Sequence, residues 1–173
     1  MKRPEPTEIE RFLKDGDYIV SKTDLKGHIV YCNRVFIDIS GYAESELLGA
    51  PHSILRHPDM PKIVFRLLWE RIQQKKDIFA FVKNLCKDGG HYWVFANVTA
   101  TVDPDGTIRD YHSVRRKPNP DAVKRIEPIY AKLLEEERKG GMEASGAYLE
   151  NLLRTNGTHY DAFVSALQRG EAT

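Results

Sequence analysis

The sequence predicts an α+β domain in which short helices cover one face of a single five-stranded antiparallel sheet, followed by a helical extension. Three observations indicate this class: two short strand patterns near the start, three long strand patterns later, and short helical segments between the two groups. The chain has 173 residues, 41% of them apolar, which is enough for one domain with a buried core.

The first two strands are predicted over Tyr18–Thr23 and His28–Cys32. Asn33 follows as the N-cap residue of a short helix, and Gly41 ends that helix. A second short helix is predicted over residues 43–48. These helices precede the three long strands, and we expect them to form one wall of a pocket against the inner face of the sheet.

A proline-rich connector, residues 49–61, joins these helices to a longer helix that begins near Asp59 and Pro61. It contains three prolines, two histidines, an arginine and an aspartate. Because proline fixes its own φ and restricts the residue before it, we expect the connector to be stiff. A stiff connector can hold cationic and hydrogen-bonding side chains in a fixed arrangement around a ligand.

The three long strands are predicted over residues 78–87, 91–102 and 108–116, joined by two glycine-containing turns into an antiparallel meander. The segment 92–98 is apolar on both faces, whereas a half-solvated strand alternates apolar with charged residues. We therefore expect both faces of the sheet to be covered, one by the ligand-side helices and the other by a terminal helix.

The remainder is predicted to be helical. An amphipathic helix over residues 122–138 is followed by a break at Gly140 and by two shorter helices over residues 145–154 and 160–169. The amphipathic pattern leaves open whether the last thirty or so residues pack on the domain or mediate docking. The predicted organisation is an N-terminal segment 1–16, a sheet-containing domain 17–117 and a helical extension 118–173.

Composition excludes several classes. With 26 basic and 25 acidic residues the net charge is +1, so no basic surface for nucleic acid is expected. No signal peptide is recognisable, and no apolar run approaches the roughly 20 residues that span a bilayer, so direct membrane insertion is not expected. Two cysteines form no disulfide framework, which favours a cytoplasmic location. No nucleophile–base pair, phosphate loop or paired carboxylates indicate an enzyme.

A set of motifs runs through the short helices, the connector and the long strands. Its members are Gly41-Tyr42, Glu46-Leu47 with Gly49, Pro51-His52, Arg56-His57-Pro58-Asp59-Met60-Pro61, Lys83-Asn84, Lys87-Asp88-Gly89, and His91-Tyr92-Trp93-Val94 with Asn97. This set resembles the PAS family, and more narrowly the flavin-binding PAS domain of bacterial aerotaxis receptors. The resemblance is closest to the PAS-only half of a bipartite energy-taxis system, in which a separate membrane receptor provides the output.

The resemblance implies a PAS fold and a cytoplasmic redox or oxygen sensor for energy taxis that binds FAD non-covalently. It also implies signalling by protein contact to a membrane-bound chemotaxis receptor or signalling protein, and a homodimer is a further expectation. The positions implied at the cofactor are Asn33, His52, Arg56, His57, Asp59 and Asn84. The family usually has a tryptophan shortly before the Lys-Asn pair; here Phe79 or Phe81 is the expected substitute.

The residue types allow specific roles at that site. Asn84 shares one strand face with apolar residues, where an unpaired amide costs on the order of 1–3 kcal/mol, so a flavin acceptor or a backbone group must pair with it. Arg56 is expected near the flavin pyrimidine edge or pyrophosphate, or paired with Asp59. His52 and His57 are candidate donors to a flavin phosphate or adenine, candidate haem ligands, or structural helix caps.

Two other functions remain open from the residues alone. The pocket can hold haem or a small metabolite, or the domain can be a cofactor-free adaptor that pairs through its sheet and terminal helices. Trp93 lies on the strand face opposite Tyr92 and Val94 and is expected in the core. The histidine spacing matches no closed zinc site, so no metal is expected. Neither Cys32 nor Cys86 stands in the photoactive motif of light-sensing flavin domains.

Overall fold

The computed structural model describes residues 3–171, and it has the predicted α+β arrangement with one five-stranded sheet. Every pair of neighbouring strands is antiparallel, and the strands, counted along the chain, lie side by side in the order second, first, fifth, fourth, third. The predicted meander of three long strands is therefore confirmed. The strands are β1 Tyr18–Thr23, β2 Ile29–Cys32, β3 Ile78–Leu85, β4 His91–Val102 and β5 Ile108–Arg116.

Two predicted strand ends differ from the structure. The second strand begins at Ile29 rather than His28, because the Asp24 carboxylate accepts hydrogen bonds from the backbone and ring of His28 and extends the turn. The third strand ends at Leu85, because the backbone N–H of Cys86 already donates to Gly90 within the hairpin turn, at 2.7 Å.

The helices follow the predicted order. Asn33 caps α1, since its side-chain oxygen accepts from Phe36 N at 3.2 Å, and Gly41 closes the helix in the left-handed conformation, φ 75°. The helix predicted over residues 43–48 is shorter in the structure. The helices are α1 Arg34–Ser40, α2 Glu44–Leu47, α3 Lys62–Gln73, α4 Pro120–Thr155 and α5 Tyr160–Arg169.

The helical extension contains the predicted break. Helix α4 begins at Pro120, after the N-cap Asn119, two residues before the predicted start at Ala122. Its backbone leaves helical geometry at Gly140 and again at Gly141, where φ is 70° and ψ is −166°. Glycine enters that region without the Cβ clash that other residues meet. The helices predicted over residues 122–138 and 145–154 are thus the two parts of α4, which are separated by a kink at Gly140 and Gly141.

The outer face of the sheet is covered by this extension. Trp93 is 6% exposed, and its ring stacks on Tyr130 of α4 with centroids 6.1 Å apart. The Tyr130 hydroxyl donates to the carbonyl oxygen of Phe81 at 2.7 Å. Helix α5 packs against β3 and buries Phe163 and Val164. The predictions of a covered outer face and of Trp93 in the core are confirmed, and the last helices pack on the domain.

The N-terminal segment also contacts the sheet. Glu10 pairs in parallel with His91 at the start of β4, and the Thr7 backbone N–H donates to Gly89 at 2.8 Å. Arg11 forms an ion pair with Asp88 in the same hairpin. Within residues 3–171, none of the helices combines the length and apolarity needed to cross a bilayer.

Candidate functional site

A cavity of about 370 Å³ lies between the inner face of the sheet, helix α3 and the connector. Its volume is in the range of sites for small molecules and cofactors. The sheet provides one wall, α3 provides an apolar wall opposite, and the connector forms the rim. The lining includes Ser21 of β1, His52 and Arg56 of the connector, Trp69 of α3, Asn84 of β3 and Arg115 of β5.

The connector is held at both ends by backbone pairing. At one end, the backbone N–H of His52 donates to Gly27 O at 2.9 Å, beside the turn between β1 and β2. At the other end, Arg56 forms an antiparallel bridge with Asn84 on the free edge of β3. A 3₁₀ turn over His52–Leu55 lies between the two attachments. This pairing places His52 and Arg56 on the cavity rim and brings Arg56 next to Asn84.

Asn84 contributes an unpaired amide to the cavity. The residue is 4% exposed, and its Nδ2 atom is buried without a hydrogen-bond partner among the described residues. Its neighbour on the same strand face is Val82, which also lines the cavity. A buried amide that lacks a partner costs on the order of 1–3 kcal/mol, so this position suits a group that accepts a hydrogen bond.

Arg56 also has an unpaired donor. Its guanidinium carbon lies 4.0 Å from the ring centroid of Phe65 in α3, and its Nε atom is buried without a partner among residues 3–171. Burial, and then the charge of Arg3, lower the pKa of Arg56. The alternative of an Arg56–Asp59 pair is not the arrangement seen, because the Asp59 carboxylate accepts from Lys83 Nζ at 2.7 Å.

His52 is a neutral ring at the cavity wall. It stacks on Phe36 with centroids 6.1 Å apart, and its Nε2 atom lies 3.4 Å from the Ser21 hydroxyl. Burial of the ring, and then the charge of Arg115, lower the pKa of His52 to about 3. The imidazole is therefore uncharged at neutral pH and available as a hydrogen-bonding or metal-ligating nitrogen.

His57 and Asp59, two predicted site residues, support the connector and lie outside the cavity lining. The Asp59 backbone N–H donates to Nδ1 of His57 at 3.1 Å, and the His57 ring contacts the edge of His91 at 5.7 Å. The Asp59 carboxylate faces Lys83 instead of a ligand. The structure thus gives both residues contacts that fix the end of the connector beside β3.

Asn33 and Phe79 are likewise outside the cavity lining. The Asn33 side chain is used by the backbone: it caps α1, accepts from Val20 N at 3.0 Å and donates to Tyr18 O at 2.8 Å. Phe79 stacks on Phe95 with centroids 5.3 Å apart, on the sheet face opposite Asn84. Successive residues of a strand point to opposite faces, so Phe79 cannot replace a tryptophan in this cavity.

Most of the cavity lining was not predicted from the sequence, and Trp69 and Arg115 are the two most notable of these residues. Trp69 belongs to an α3 stripe with i, i+3, i+4 and i+7 spacing, and its ring meets Tyr111 edge-on at 5.5 Å. The second is Arg115, which is 2% exposed on the inner face of β5. The stripe that provides Trp69 is readable in the sequence and consists of Phe65, Leu68, Trp69 and Ile72.

The charges around the cavity have one sign. Lys26, Arg56 and Arg115 line it, whereas no aspartate or glutamate is among the lining residues of the described chain. The unpaired nitrogen atoms at Asn84, Arg56 and Arg115 are hydrogen-bond donors. This arrangement suits a ligand that presents acceptor atoms or negative charge.

The sequence profile of the PAS fold matches residues 29–115, so this chain belongs to the PAS family. The aerotaxis receptor of Escherichia coli is 39% identical to it over 121 residues, 70% of this chain and 24% of the receptor. The bacterioopsin transcriptional activator of Halobacterium salinarum is 31% identical over 112 residues, 60% of this chain and 17% of that protein. The chain thus spans a quarter or less of these relatives.

Solved structures support the same fold. A light-oxygen-voltage domain structure from work with a flavin analogue is 25% identical, with a TM-score of 0.56, covering 70% of this chain and 87% of that one. The light-state structure of the Aureochrome1 blue-light photoreceptor domain is 28% identical, with a TM-score of 0.55, covering 70% and 91%. The expected resemblance to PAS domains of the aerotaxis-receptor type is confirmed.

Proposed function

We propose that this PAS domain is a redox or oxygen sensor for energy taxis that binds FAD non-covalently in the cavity. The observation that carries the proposal is the set of unpaired donors on Asn84 and Arg56 in a largely apolar cavity that no aspartate or glutamate of residues 3–171 lines. Flavin presents ring nitrogen, carbonyl and phosphate acceptors. The aerotaxis receptor and the light-oxygen-voltage structures among the similar proteins support the same choice.

The residues present fit such a ligand. Asn84 Nδ2 offers a donor to a ring acceptor, while Val82 and Trp69 offer apolar surface on opposite walls of the cavity. Arg56 at the rim offers its charge to the pyrimidine edge or a phosphate. When bound, the flavin supplies reversible electron chemistry, and the protein supplies orientation, electrostatics and exclusion of water. Asn33, His57 and Asp59 act in this proposal as supports of the surrounding backbone.

The signal is proposed to leave through α3 and the helical extension. One side of α3 lines the cavity. At its N-terminal end, the Ile63 backbone N–H donates to the Glu137 carboxylate of α4 at 2.9 Å, and near its C-terminal end Arg71 pairs with Asp161 of α5 at 2.7 Å. If the two redox states of the ligand make different contacts with the cavity, a change of redox state shifts α3, α4 and α5 between two arrangements. The sensor unit is 17–117, and 118–173 relays its state.

The proposed partner is a membrane-bound chemotaxis receptor or signalling protein contacted in the cytoplasm, with a homodimer as the proposed sensor form. The name of the 39% identical relative, an aerotaxis receptor, supports this assignment. A role in signalling rather than catalysis is part of the same proposal. Neither Cys32 nor Cys86 lines the cavity, so no flavin–cysteine photoadduct is proposed.

A haem sensor is the second candidate because His52 places a neutral imidazole at the cavity wall. His57 does not line the cavity and is not a candidate ligand there. Loss of a haem spectrum in His52→Ala, with retention in His57→Ala, is the result that favours haem over flavin. A colourless protein that binds neither group favours the cofactor-free adaptor.

Binding of FAD tests the proposal directly. Titration of apoprotein with FAD should quench the flavin fluorescence to a saturable end point, and Asn84→Ala should weaken binding roughly tenfold, the equivalent of one hydrogen bond. Asn97→Ala is the matched control, because the Asn97 amide donates to Ile78 O at 3.4 Å and does not line the cavity. Equal affinities of the two variants, or no saturable binding, contradict the proposed site.

A further inference from the structure

We propose that Arg115 is the anion-recognition residue of the cavity: its guanidinium is held without a counter-ion for a negatively charged group of the ligand. The part of this inference that concerns flavin rests on the proposed function. In the flavin-bound protein, Arg115 favours the form of the ring that carries a negative charge, and so sets how readily the sensor is reduced.

Arg115 is a buried residue whose guanidinium has unpaired hydrogen-bond donors. The residue is 2% exposed, and one guanidinium nitrogen, Nη2, donates to Ser21 Oγ at 2.5 Å. Its Nε and Nη1 atoms are buried without a hydrogen-bond partner within residues 3–171. A guanidinium has five N–H donors and no acceptor, so these positions require an acceptor from the ligand or from solvent.

The groups that surround Arg115 are all uncharged. They come from four elements: Ser21 of β1, the Phe36 ring of α1 at 4.5 Å, His52 of the connector and Tyr92 of β4. Burial keeps His52 neutral and raises the pKa of the Tyr92 phenol above its ordinary value. Among the described residues Arg115 makes no ion pair of 4 Å or less. A buried charge without a partner is costly, so its retention points to a ligand charge.

The place of Arg115 in the cavity decides which part of a ligand it meets. Lys26 and Ser53 are exposed and mark the open side of the cavity, whereas Arg115 lies on the sheet wall away from solvent. Phosphates are strongly hydrated, so a dinucleotide places them at the open side and inserts its ring system. The structure therefore assigns Arg115 to the polar edge of the ring and Lys26 to the phosphate end.

The charge balance of flavin reduction gives this contact a consequence. Uptake of two electrons and one proton leaves one negative charge on the ring, whereas uptake of two electrons and two protons leaves none. A fixed cation beside the polar edge stabilises the first product and leaves the oxidised ring, which is neutral, nearly unaffected. Arg115 thus raises the reduction potential and removes one proton from the reaction.

The test uses three variants of the full chain loaded with FAD: Arg115→Met, Arg115→Lys and Arg116→Met. Arg116 is the matched control, because it is the next residue of β5, faces the opposite side and has its guanidinium 5.5 Å from the Phe95 ring centroid. Midpoint potentials are measured by dithionite titration at several pH values from 6 to 8.

For wild type, Arg115→Lys and Arg116→Met we expect the potential to fall by about 30 mV per pH unit, the value for two electrons and one proton. In Arg115→Met, the affinity for the reduced ring relative to that for the oxidised ring should fall at least a hundredfold, which lowers the midpoint potential by about 60 mV. The midpoint potential of this variant should also fall more steeply with pH, by close to about 60 mV per pH unit. Equal potentials and slopes in wild type and Arg115→Met overturn the assignment.

The ligand-free protein supplies an independent readout. Because Arg115 has no counter-ion there, Arg115→Met should raise the melting temperature of apoprotein, while Arg116→Met leaves it within about 1 °C, as surface substitutions usually do. A lower melting temperature for Arg115→Met shows that the charge is structurally satisfied and overturns the proposal. A rise in a protein that binds no FAD upholds the anion site and refutes only the flavin.

Discussion

The hydroxyl of Tyr130 provides a sharp test of how the helical extension is attached to the sensor. Tyr130 is 5% exposed, and its hydroxyl donates to the Phe81 carbonyl of β3 at 2.7 Å. Tyr130→Phe keeps the ring that stacks on Trp93 and leaves a buried carbonyl without this donor. An unsatisfied buried acceptor costs about 1–3 kcal/mol. Urea unfolding should therefore show a lower free energy of unfolding with an unchanged m value.

The chain contains a matched control for this variant. The Tyr160 hydroxyl in α5 is also buried but has no hydrogen-bond partner among residues 3–171. Tyr160→Phe should change the free energy of unfolding by less than about 0.5 kcal/mol or increase it, since it removes an unpaired polar group. If Tyr130→Phe and Tyr160→Phe have the same stability, the hydrogen bond between α4 and β3 is refuted.

Three further predictions concern the site and the extension. Burial, and then the charge of Lys83, lower the pKa of His57 to about 4. The free energy of unfolding should therefore be highest above a pH of about 6.5 and should fall as the pH is lowered towards about 4, by up to about 1.4 kcal/mol per pH unit. His57→Gln should flatten this fall, as measured by urea unfolding at several pH values. Gly141→Ala forces a strained backbone and should cost about 1–3 kcal/mol in thermal unfolding. Asp161→Asn should lower the free energy of unfolding by less than about 1 kcal/mol, because the ion pair of Asp161 with Arg71 is partly solvated. A larger loss would contradict this and would show that the ion pair contributes strongly to the attachment of α5.

Most of the fold follows from local patterns in the sequence. The turn glycines, the N-cap Asn33 and the two-faced apolar strand 92–98 each specify their own element, and the structure retains all of them. The proline-rich connector is also recognisable in the sequence, because proline restricts the chain locally. Such features depend on neighbouring residues, so a single sequence contains enough information to predict them.

The candidate site was only partly predictable, since it depends on contacts between distant segments. Arg115 belongs to the site because β5 pairs with β1, which places Arg115 beside Ser21. The residues around position 115 do not reveal the register of this pairing. His57 and Asp59 share the connector with Arg56, yet they turn towards Lys83 and His91 instead of the cavity. A motif thus identifies the segment that forms a site without deciding which of its side chains reach the ligand.

The placement of Phe79 outside the cavity could have been derived from the sequence. Asn84 and Phe79 differ by an odd number of positions in one strand, so they lie on opposite faces. The structure confirms this parity: Phe79 packs on Phe95, and Trp69 from α3 is the tryptophan that reaches the cavity. The residue types matched the family pattern, but strand geometry excludes the substitution.

The proposed flavin sensor is tested most simply by the absorption spectrum of freshly purified protein from 300 to 600 nm, before and after dithionite. We predict twin bands near about 370 and about 450 nm that bleach on reduction, the signature of a protein-bound flavin that carries the redox chemistry. A sharp band near about 410 nm would contradict it in favour of haem held by a histidine. A spectrum that stays featureless after refolding with FAD would contradict a cofactor-based sensor altogether.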